Sequence, residues 1–151
     1  MNGKFLIYMD NCCLNRPFDD LTIDKVRLES EAVLTIIEYC ERGIWDLCSS
    51  DVLFDEISRM DDSVKKEKVL TLYNSATVEI GIDDKIISRA SELTQANIKP
   101  FDALHIASAE SGKADVFLTT DRKLINASTR IKTNMKITNP AIWILEVLYN
   151  E

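Results

Sequence analysis

The chain has 151 residues, of which 46% are hydrophobic, so it is long enough to bury a core and short enough to form one domain, expected to span residues 1–151. Its formal net charge of -7 excludes a protein that coats nucleic acid through a broad basic surface. No apolar run approaches the roughly 20 residues needed to span a bilayer, and the apolar stretch at 5–9 is too short for a signal peptide, so we expect a cytoplasmic protein.

The first third of the chain predicts a strand, a turn-rich segment and a long helix. Residues 4–9 are an apolar run rich in β-forming side chains, which predicts a buried strand. A polar, turn-rich segment follows from Asp10 to Asp20. Apolar side chains at helical spacing then predict a helix over residues 21–42, and Gly43 is a suitable residue to end it.

The rest of the chain alternates strands and helices. Residues 44–48 predict a second strand, followed by a helix for which Ser49, Ser50 and Asp51 are N-cap candidates. The same patterns predict helices at 62–73, 83–95, 100–111, 122–127 and 140–149, and strands at 76–80, 116–118 and 135–138. This alternation predicts an α/β fold with three layers, in which helices cover both faces of a central, mostly parallel sheet of about five strands.

Four acidic side chains are expected at one edge of this sheet. Asp10 and Asp121 directly follow strands, whereas Glu56 and Asp102 lie in the early turns of helices. The carboxyl ends of parallel strands and the starts of crossover helices meet at the same edge, where ligands bind. Like charges gathered there repel unless cations neutralise them. Oxygen ligands without a histidine or thiolate cluster favour Mg²⁺ or Mn²⁺ over zinc or copper.

The charge and spacing of such a site indicate phosphodiester hydrolysis. One divalent ion neutralises only half of four negative charges, whereas two ions about 4 Å apart neutralise them, activate water and stabilise the leaving oxygen of a phosphoryl displacement. Taken singly, each acid also has a structural explanation as a turn residue, a helix-dipole partner or a solvated side chain. Asp102 argues for the metal, because it lies in an otherwise apolar helix where an ionised carboxylate needs a partner.

The four acids occur in ordered motifs. Tyr-Met-Asp ends at Asp10, Val-Leu-Phe-Asp-Glu-Ile contains Glu56, an Asp-x-x-His-x-Ala-x-Ala motif within a helix begins at Asp102, and Leu-Thr-Thr-Asp ends at Asp121. These motifs resemble those of the PIN-domain family, which includes the VapC-like ribonuclease toxins of bacterial toxin–antitoxin pairs, and the resemblance spans nearly the whole chain. Glu56 is the least specific match, because Asp55 lies beside it and is an alternative second acid.

The resemblance implies a three-layer α/β/α fold, a ribonuclease dependent on Mg²⁺ or Mn²⁺, frequent homodimers and often an antitoxin protein that blocks the site. Two positions depart from the family's pattern. The family commonly has Thr or Ser and then Asn or Ser after the first acid, where this chain has Asn11 and Cys12. A further acid often follows the fourth by two residues, where this chain has Lys123, and this weakens a second metal site more than the first.

Three polar residues are candidates to support the carboxylates. Asn11 and Thr119 are candidates to hydrogen-bond the carboxylates or water on the metal. His105, the only histidine, lies three residues after Asp102 on the same side of the helix. It is a candidate to orient that acid, and a packed, hydrogen-bonded histidine is the competing interpretation.

A basic tract follows the fourth acid. Residues 122–145 contain five cationic side chains and no acid, so Lys123, Arg130 and Lys132 are candidates to bind RNA phosphates, although a solvated face explains the pattern equally well. The four cysteines lack zinc spacing, and we interpret them as reduced thiols that pack as small hydrophobic side chains.

Other functions fit parts of the pattern less well than a nuclease. A PIN-like scaffold that binds RNA or protein without catalysis is the main alternative. A phosphoacceptor receiver domain draws its acids from successive strands, whereas Glu56 and Asp102 lie within helices. A Rossmann-type cofactor enzyme is disfavoured, because the first strand leads into Asp-Asn-Cys-Cys and not into a glycine-rich turn.

Overall fold

A computed structural model of the chain describes residues 4–150. Five strands lie within this range: β1 (Leu6–Met9), β2 (Asp46–Ser50), β3 (Val78–Ile80), β4 (Val116–Leu118) and β5 (Lys136–Thr138). The α-helices of the same range are α1 (Asn11–Asn15), α2 (Asp24–Glu41), α3 (Asp51–Ser58), α4 (Ser63–Tyr73), α5 (Asp84–Gln95), α6 (Pro100–Ser111), α7 (Arg122–Ser128) and α8 (Pro140–Tyr149). In this part of the chain, no helix combines the length and the apolar character needed to cross a membrane.

The strands form a parallel sheet in the order β3-β2-β1-β4-β5. The chain first builds outward from β1 to β3 and then returns to the other side of β1, where Met9 pairs with Leu118. The strand order therefore reverses between β1 and β4. In open parallel sheets, ligands bind at the carboxyl ends of the strands beside such a reversal.

Alternating strand side chains contact two hydrophobic cores, one on each face of the sheet. Ile7 and Met9 belong to the core packed by α1, α2, α4 and α8, whereas Tyr8 belongs to the core packed by α5, α6 and α7. Helices on both faces give the three layers, so the structure confirms the predicted α/β fold. At the end of α2, Gly43 adopts a left-handed φ of 76°, consistent with its predicted role as a helix stop.

The largest difference from the predicted elements lies after β1. The segment expected to be turn-rich forms helix α1 and a 3₁₀ turn, Arg16–Phe18. The carboxylate of Asp10 caps α1 by accepting a hydrogen bond from the Cys13 backbone N–H at 3.2 Å, and Cys13 and Leu14 become buried. A five-residue helix is too short to show a repeated apolar pattern, which is why the sequence does not reveal it.

A buried ionic network holds Arg16, the first residue of the 3₁₀ turn, against α2 and the start of α8. The Glu29 side chain is 2% exposed and accepts hydrogen bonds from Arg16 Nε at 2.8 Å, Lys25 Nζ at 2.7 Å and Asn139 Nδ2 at 2.6 Å. Burial alone would raise the pKa of Glu29, but the hydrogen bonds from Lys25, Asn139 and Arg16 outweigh burial and leave the pKa lowered. The network therefore stabilises the charged form of Glu29.

Candidate active site

Asp10 lies where β1 meets α1, at the reversal of strand order. Its backbone N–H donates to the carbonyl oxygen of Leu118 at 3.2 Å, which extends the pairing of β1 and β4 by one residue. The side chain is 7% exposed. Burial, reinforced by the charge of Cys12, raises its pKa well above the usual value for aspartate. An ionised carboxylate at this position is costly unless a cation compensates it.

Cys12 lies against Asp10 and does not behave as a small hydrophobic side chain. Its Sγ lies 2.7 Å from Asp10 Oδ1 and 3.4 Å from Thr119 Oγ1, and it accepts a hydrogen bond from the Thr120 N–H at 3.3 Å. Hydrogen bonds, of which that with Cys13 is the largest, lower the pKa of Cys12 to about 5. The pKa of Asp10 is thus raised while that of Cys12 is lowered, so the two groups titrate as a coupled pair.

Asp102 and Asp121 line a cavity of about 320 Å³ between the starts of α6 and α7. Asp121 caps α7 and accepts hydrogen bonds from the backbone N–H groups of Lys123 at 2.9 Å and Leu124 at 3.3 Å. Burial raises the pKa of Asp102, and the negative charge of Asp121 raises it further. The charge of Cys12 acts in the same direction, so Cys12 links this pair of acids to Asp10.

Three cationic side chains, Lys99, Lys123 and Arg130, line the same cavity. Lys123 and Arg130 were predicted from the basic tract, whereas Lys99 was missed, although it lies just before the proline that begins α6. The structure does not bring Lys132 to this cavity. Lys132 lines a different cavity with Asp115, the residue before β4, and therefore lies at the opposite end of the strands from Asp121.

Glu56 in α3 contacts His105 in α6. Glu56 Oε1 lies 2.9 Å from His105 Nε2, and His105 Nδ1 lies 2.6 Å from the hydroxyl of Tyr8 in β1. That hydroxyl lies 2.7 Å from Ser50 Oγ, which accepts a hydrogen bond from the Leu53 N–H at 3.0 Å. His105 and Tyr8 are buried, and these contacts form a hydrogen-bond chain from the start of α3 to Glu56. His105 therefore hydrogen-bonds Glu56 and not Asp102, the acid it was proposed to orient.

The direction of this hydrogen-bond chain follows from its two ends. The carboxylate of Glu56 only accepts, so His105 Nε2 carries a proton and a neutral imidazole leaves Nδ1 as an acceptor. Tyr8 then donates to Nδ1, Ser50 donates to Tyr8, and Ser50 accepts from the Leu53 N–H. Every donor in this assignment has one acceptor.

The remaining predicted residues differ in their surroundings. Asp55 forms an ion pair with Arg59 at 3.1 Å and its side chain is 50% exposed, whereas Glu56 hydrogen-bonds His105 in α6. Asn11 accepts hydrogen bonds from the Asn15 side chain and so contacts α1 itself. Thr119 is buried, accepts the Asp121 N–H at 3.0 Å and contacts Cys12, which connects Asp121 to the surroundings of Asp10.

The family model of the PIN domain matches residues 26–129, which is more than half of the chain. The chain belongs to the PIN domain family. The matched range of this PIN domain includes Glu56, Asp102 and Asp121, whereas Asp10 lies before it. Asp10 is therefore associated with the other acids by the fold, through the pairing of β1 with β4, and not by the family match.

Solved structures show the same fold. The chain is similar to a structure of VapBC2 from Rickettsia felis bound to a DNA fragment from the VapBC2 promoter. The TM-score is 0.59 and the sequence identity is 17%. The match covers 89% of this chain and 98% of that chain. The chain is also similar to PAE2754 from Pyrobaculum aerophilum, with a TM-score of 0.55 and 17% identity over 97% of this chain and 91% of that chain. No curated protein gives a significant match.

The donor set of this PIN domain fits a divalent cation. Buried Asp10 and half-buried Asp102 both have raised pKa values, and part of the cause for Asp102 is the negative charge of Asp121. A cation placed among these carboxylates would remove that repulsion, and oxygen donors suit Mg²⁺ and Mn²⁺. The sulfur atom of Cys12 adds a softer donor to the set. Cysteine spacing in the sequence does not indicate it, because the partner of Cys12 is a carboxylate two residues away.

Proposed function

We propose that this PIN domain is a ribonuclease that hydrolyses phosphodiester bonds in RNA, with Asp10, Glu56, Asp102 and Asp121 as the ligands of Mg²⁺ or Mn²⁺. The observation that carries the proposal is the mutual charge of Asp102 and Asp121 in one cavity, which Thr119 and Cys12 connect to the buried Asp10. A bound divalent metal would activate water and neutralise charge at the phosphate.

The residues around the acids fit distinct tasks in this reaction. The hydrogen-bond chain through His105 orients Glu56, and the helix α7 N–H groups hold Asp121. Lys123 and Arg130 lie beside the acids and supply positive charge for RNA phosphates. A chain with a net charge of -7 needs such a local cationic surface to bind RNA.

We further propose a cytoplasmic protein that forms a homodimer and is held inactive by an antitoxin. All four cysteines are free thiols, as suits a reducing compartment. Exposed Phe54, Phe101 and Ile82 line a cavity of about 450 Å³ and suit a protein partner. The similarity to VapBC2 and the PIN family membership support an antitoxin.

The decisive experiment measures cleavage of a labelled single-stranded RNA by the purified protein in Mg²⁺ or Mn²⁺. We expect cleavage that excess EDTA abolishes and that added metal restores. Cleavage that persists in EDTA would remove metal from the mechanism. RNA binding without cleavage in either metal would favour the PIN-like scaffold.

Replacing Lys123 and Arg130 together with glutamine is expected to weaken RNA binding roughly 10-fold, because two phosphate contacts are lost. The slope of log affinity against log salt should fall by about 1.4, and saturating RNA should restore most of the cleavage rate. Lys132→Gln is the matched control, because it removes a charge from the same tract at the other end of the sheet. Equal effects of Lys132→Gln and the double variant would contradict this assignment.

Replacing His105 with glutamine is expected to lower cleavage by about 10- to 100-fold at a fixed, low metal concentration, because Glu56 loses its orienting partner. The metal concentration for half-maximal activity should rise, which a purely structural role for His105 would not change. Tyr8→Phe keeps the ring but removes the hydroxyl, so it should shift the metal dependence in the same direction by less. A His105→Gln enzyme with unchanged metal dependence would show that His105 only packs.

A further inference from the structure

Two cysteine sulfur atoms and a carboxylate converge where β1 meets α1. One carboxylate oxygen of Asp10 and the Sγ atoms of Cys12 and Cys13 all lie within 4.8 Å of one another. The convergence follows from the cap of α1: the Asp10 side chain folds over the first turn to accept the Cys13 N–H, so both neighbouring thiols lie beside it. Adjacent cysteines in the middle of a helix would not share one carboxylate in this way.

We propose that Asp10, Cys12 and Cys13 form a binding site for a thiophilic divalent cation such as Zn²⁺, and that an ion bound there competes with the catalytic metal for Asp10. The inhibitory consequence rests on the proposed ribonuclease function, whereas the binding does not. Thiolates select zinc over magnesium, and divalent zinc binds a given donor set more tightly than manganese does. Two sulfur atoms and one oxygen supply three of the four ligands of a tetrahedral site, and water can supply the fourth.

Binding of an ion would replace contacts that the two cysteine side chains make in the metal-free protein. Cys12 exchanges its short contact with Asp10 for a bond to the ion, and Cys13 gives up its hydrogen bond to the Leu118 carbonyl oxygen at 3.3 Å. The Cys13 thiol and the coupled Asp10–Cys12 pair release their protons to solvent as the bonds to the ion form, and no electron is transferred. Cys13 is fully buried, so an ion bound to both sulfur atoms is shielded from water on its inner side, while half-buried Cys12 gives access from outside.

The site overlaps the proposed catalytic centre at a single residue, Asp10. An ion held by the two thiolates and Asp10 withdraws this carboxylate from the cavity that contains Asp102 and Asp121. We therefore expect Zn²⁺ to inhibit cleavage at concentrations about 100-fold or more below those of the Mg²⁺ present, in accord with the preference of sulfur for zinc. Inhibition should be reversed by a chelator selective for zinc over magnesium.

Co²⁺ provides a test of ligation that does not depend on nuclease activity. Reduced, metal-free protein titrated with Co²⁺ should develop the near-ultraviolet thiolate-to-cobalt charge-transfer absorption, and Zn²⁺ should displace it. Cys12→Ala should abolish most of this absorption. Cys13→Ala should also give weaker absorption than the wild-type protein. Cys40→Ala, which removes a buried thiol in α2, is the matched control and should retain it.

Several outcomes would overturn the inference. It fails if the wild-type protein shows no charge-transfer absorption, or if folded Cys12→Ala retains the full intensity. Because Cys13 lies in the core, the half-buried Cys12 variant decides the question if Cys13→Ala does not fold. A protein that cleaves RNA in Mg²⁺ but gives no absorption leaves the ribonuclease proposal intact, whereas absorption without any cleavage refutes the ribonuclease alone.

Discussion

Asp10→Asn is expected to lower metal-dependent RNA cleavage by more than about 100-fold, since the loss of a charged ligand removes several kcal/mol of transition-state stabilisation. Asp102→Asn and Asp121→Asn should have similar effects. The asparagine oxygen still accepts the Cys13 N–H, so α1 should keep its cap and the fold should remain intact. Rates are compared in Mg²⁺ and Mn²⁺ on the same labelled RNA.

The matched control for this series is Asp55→Asn, because Asp55 is exposed and paired with Arg59 beside Glu56. We expect it to retain nearly all activity. If Asp10→Asn, Asp102→Asn or Asp121→Asn cleaves RNA at nearly the wild-type rate, the assignment of that residue is refuted. Loss of activity in Asp55→Asn would indicate that the second acid has been misassigned.

The Asp102→Asn protein should also be more stable than the wild type without metal, by roughly 1 kcal/mol or about 3 °C in melting temperature at pH 7. The sign follows from the raised pKa of Asp102: the folded protein holds its proton more tightly than the unfolded chain, so ionisation at neutral pH favours unfolding. The difference should shrink as the pH falls and Asp102 becomes protonated. A less stable Asp102→Asn at pH 7 would contradict this account.

Replacing Glu29 with alanine is expected to lower the free energy of unfolding by about 2 to 3 kcal/mol, because it leaves Arg16, Lys25 and Asn139 without their shared acceptor. The partial exposure of Arg16 and Lys25 keeps the loss below that of a fully buried pair. Urea unfolding followed by circular dichroism measures the change. Glu31→Ala, which truncates an exposed acid on the same helix, should change the free energy by no more than about 0.5 kcal/mol.

The contribution of Glu29 to the free energy of unfolding should decrease as the pH falls. Its pKa is lowered in the folded protein, so its contribution to stability is complete above the ordinary pKa of a glutamate and is lost as the pH falls through the folded-state pKa. The difference between wild type and Glu29→Ala should therefore narrow in acid. A difference that widens in acid would show that the charge of Glu29 is not the source of the stability.

The sequence predicted where in the fold those candidate acids lie whose positions local rules determine. Asp10 and Asp121 follow apolar strands, and Asp102 follows the proline that begins α6, so strand ends and helix starts were sufficient to locate them. The three layers followed from the alternation of strands and helices. These predictions needed no knowledge of which distant residues come into contact.

The sequence did not predict contacts between residues that are far apart in the chain. It also did not predict contacts that depend on a helix N-cap. The partners of His105 are Tyr8 and Glu56, which are 97 and 49 residues away. The role of Cys12 depends on the short helix α1, which has no repeated pattern. Lys132 was expected near Asp121, but the segment after α7 turns back toward the start of β4, where Lys132 lines a cavity with Asp115.

The hydrogen-bond chain from Leu53 to Glu56 closes on itself, because both of these residues belong to α3. It leaves the helix through Ser50, passes through β1 at Tyr8 and α6 at His105, and returns one helical turn further on. Rotation or sliding of α3 would break two links of this ring at once. Most surface glutamates lose about 1 kcal/mol or more of side-chain entropy when they are fixed, whereas Glu56 has already lost much of its freedom on folding. If Glu56 is a metal ligand, as proposed, an arriving cation would meet a preorganised carboxylate and would spend less of its binding energy on ordering the side chain.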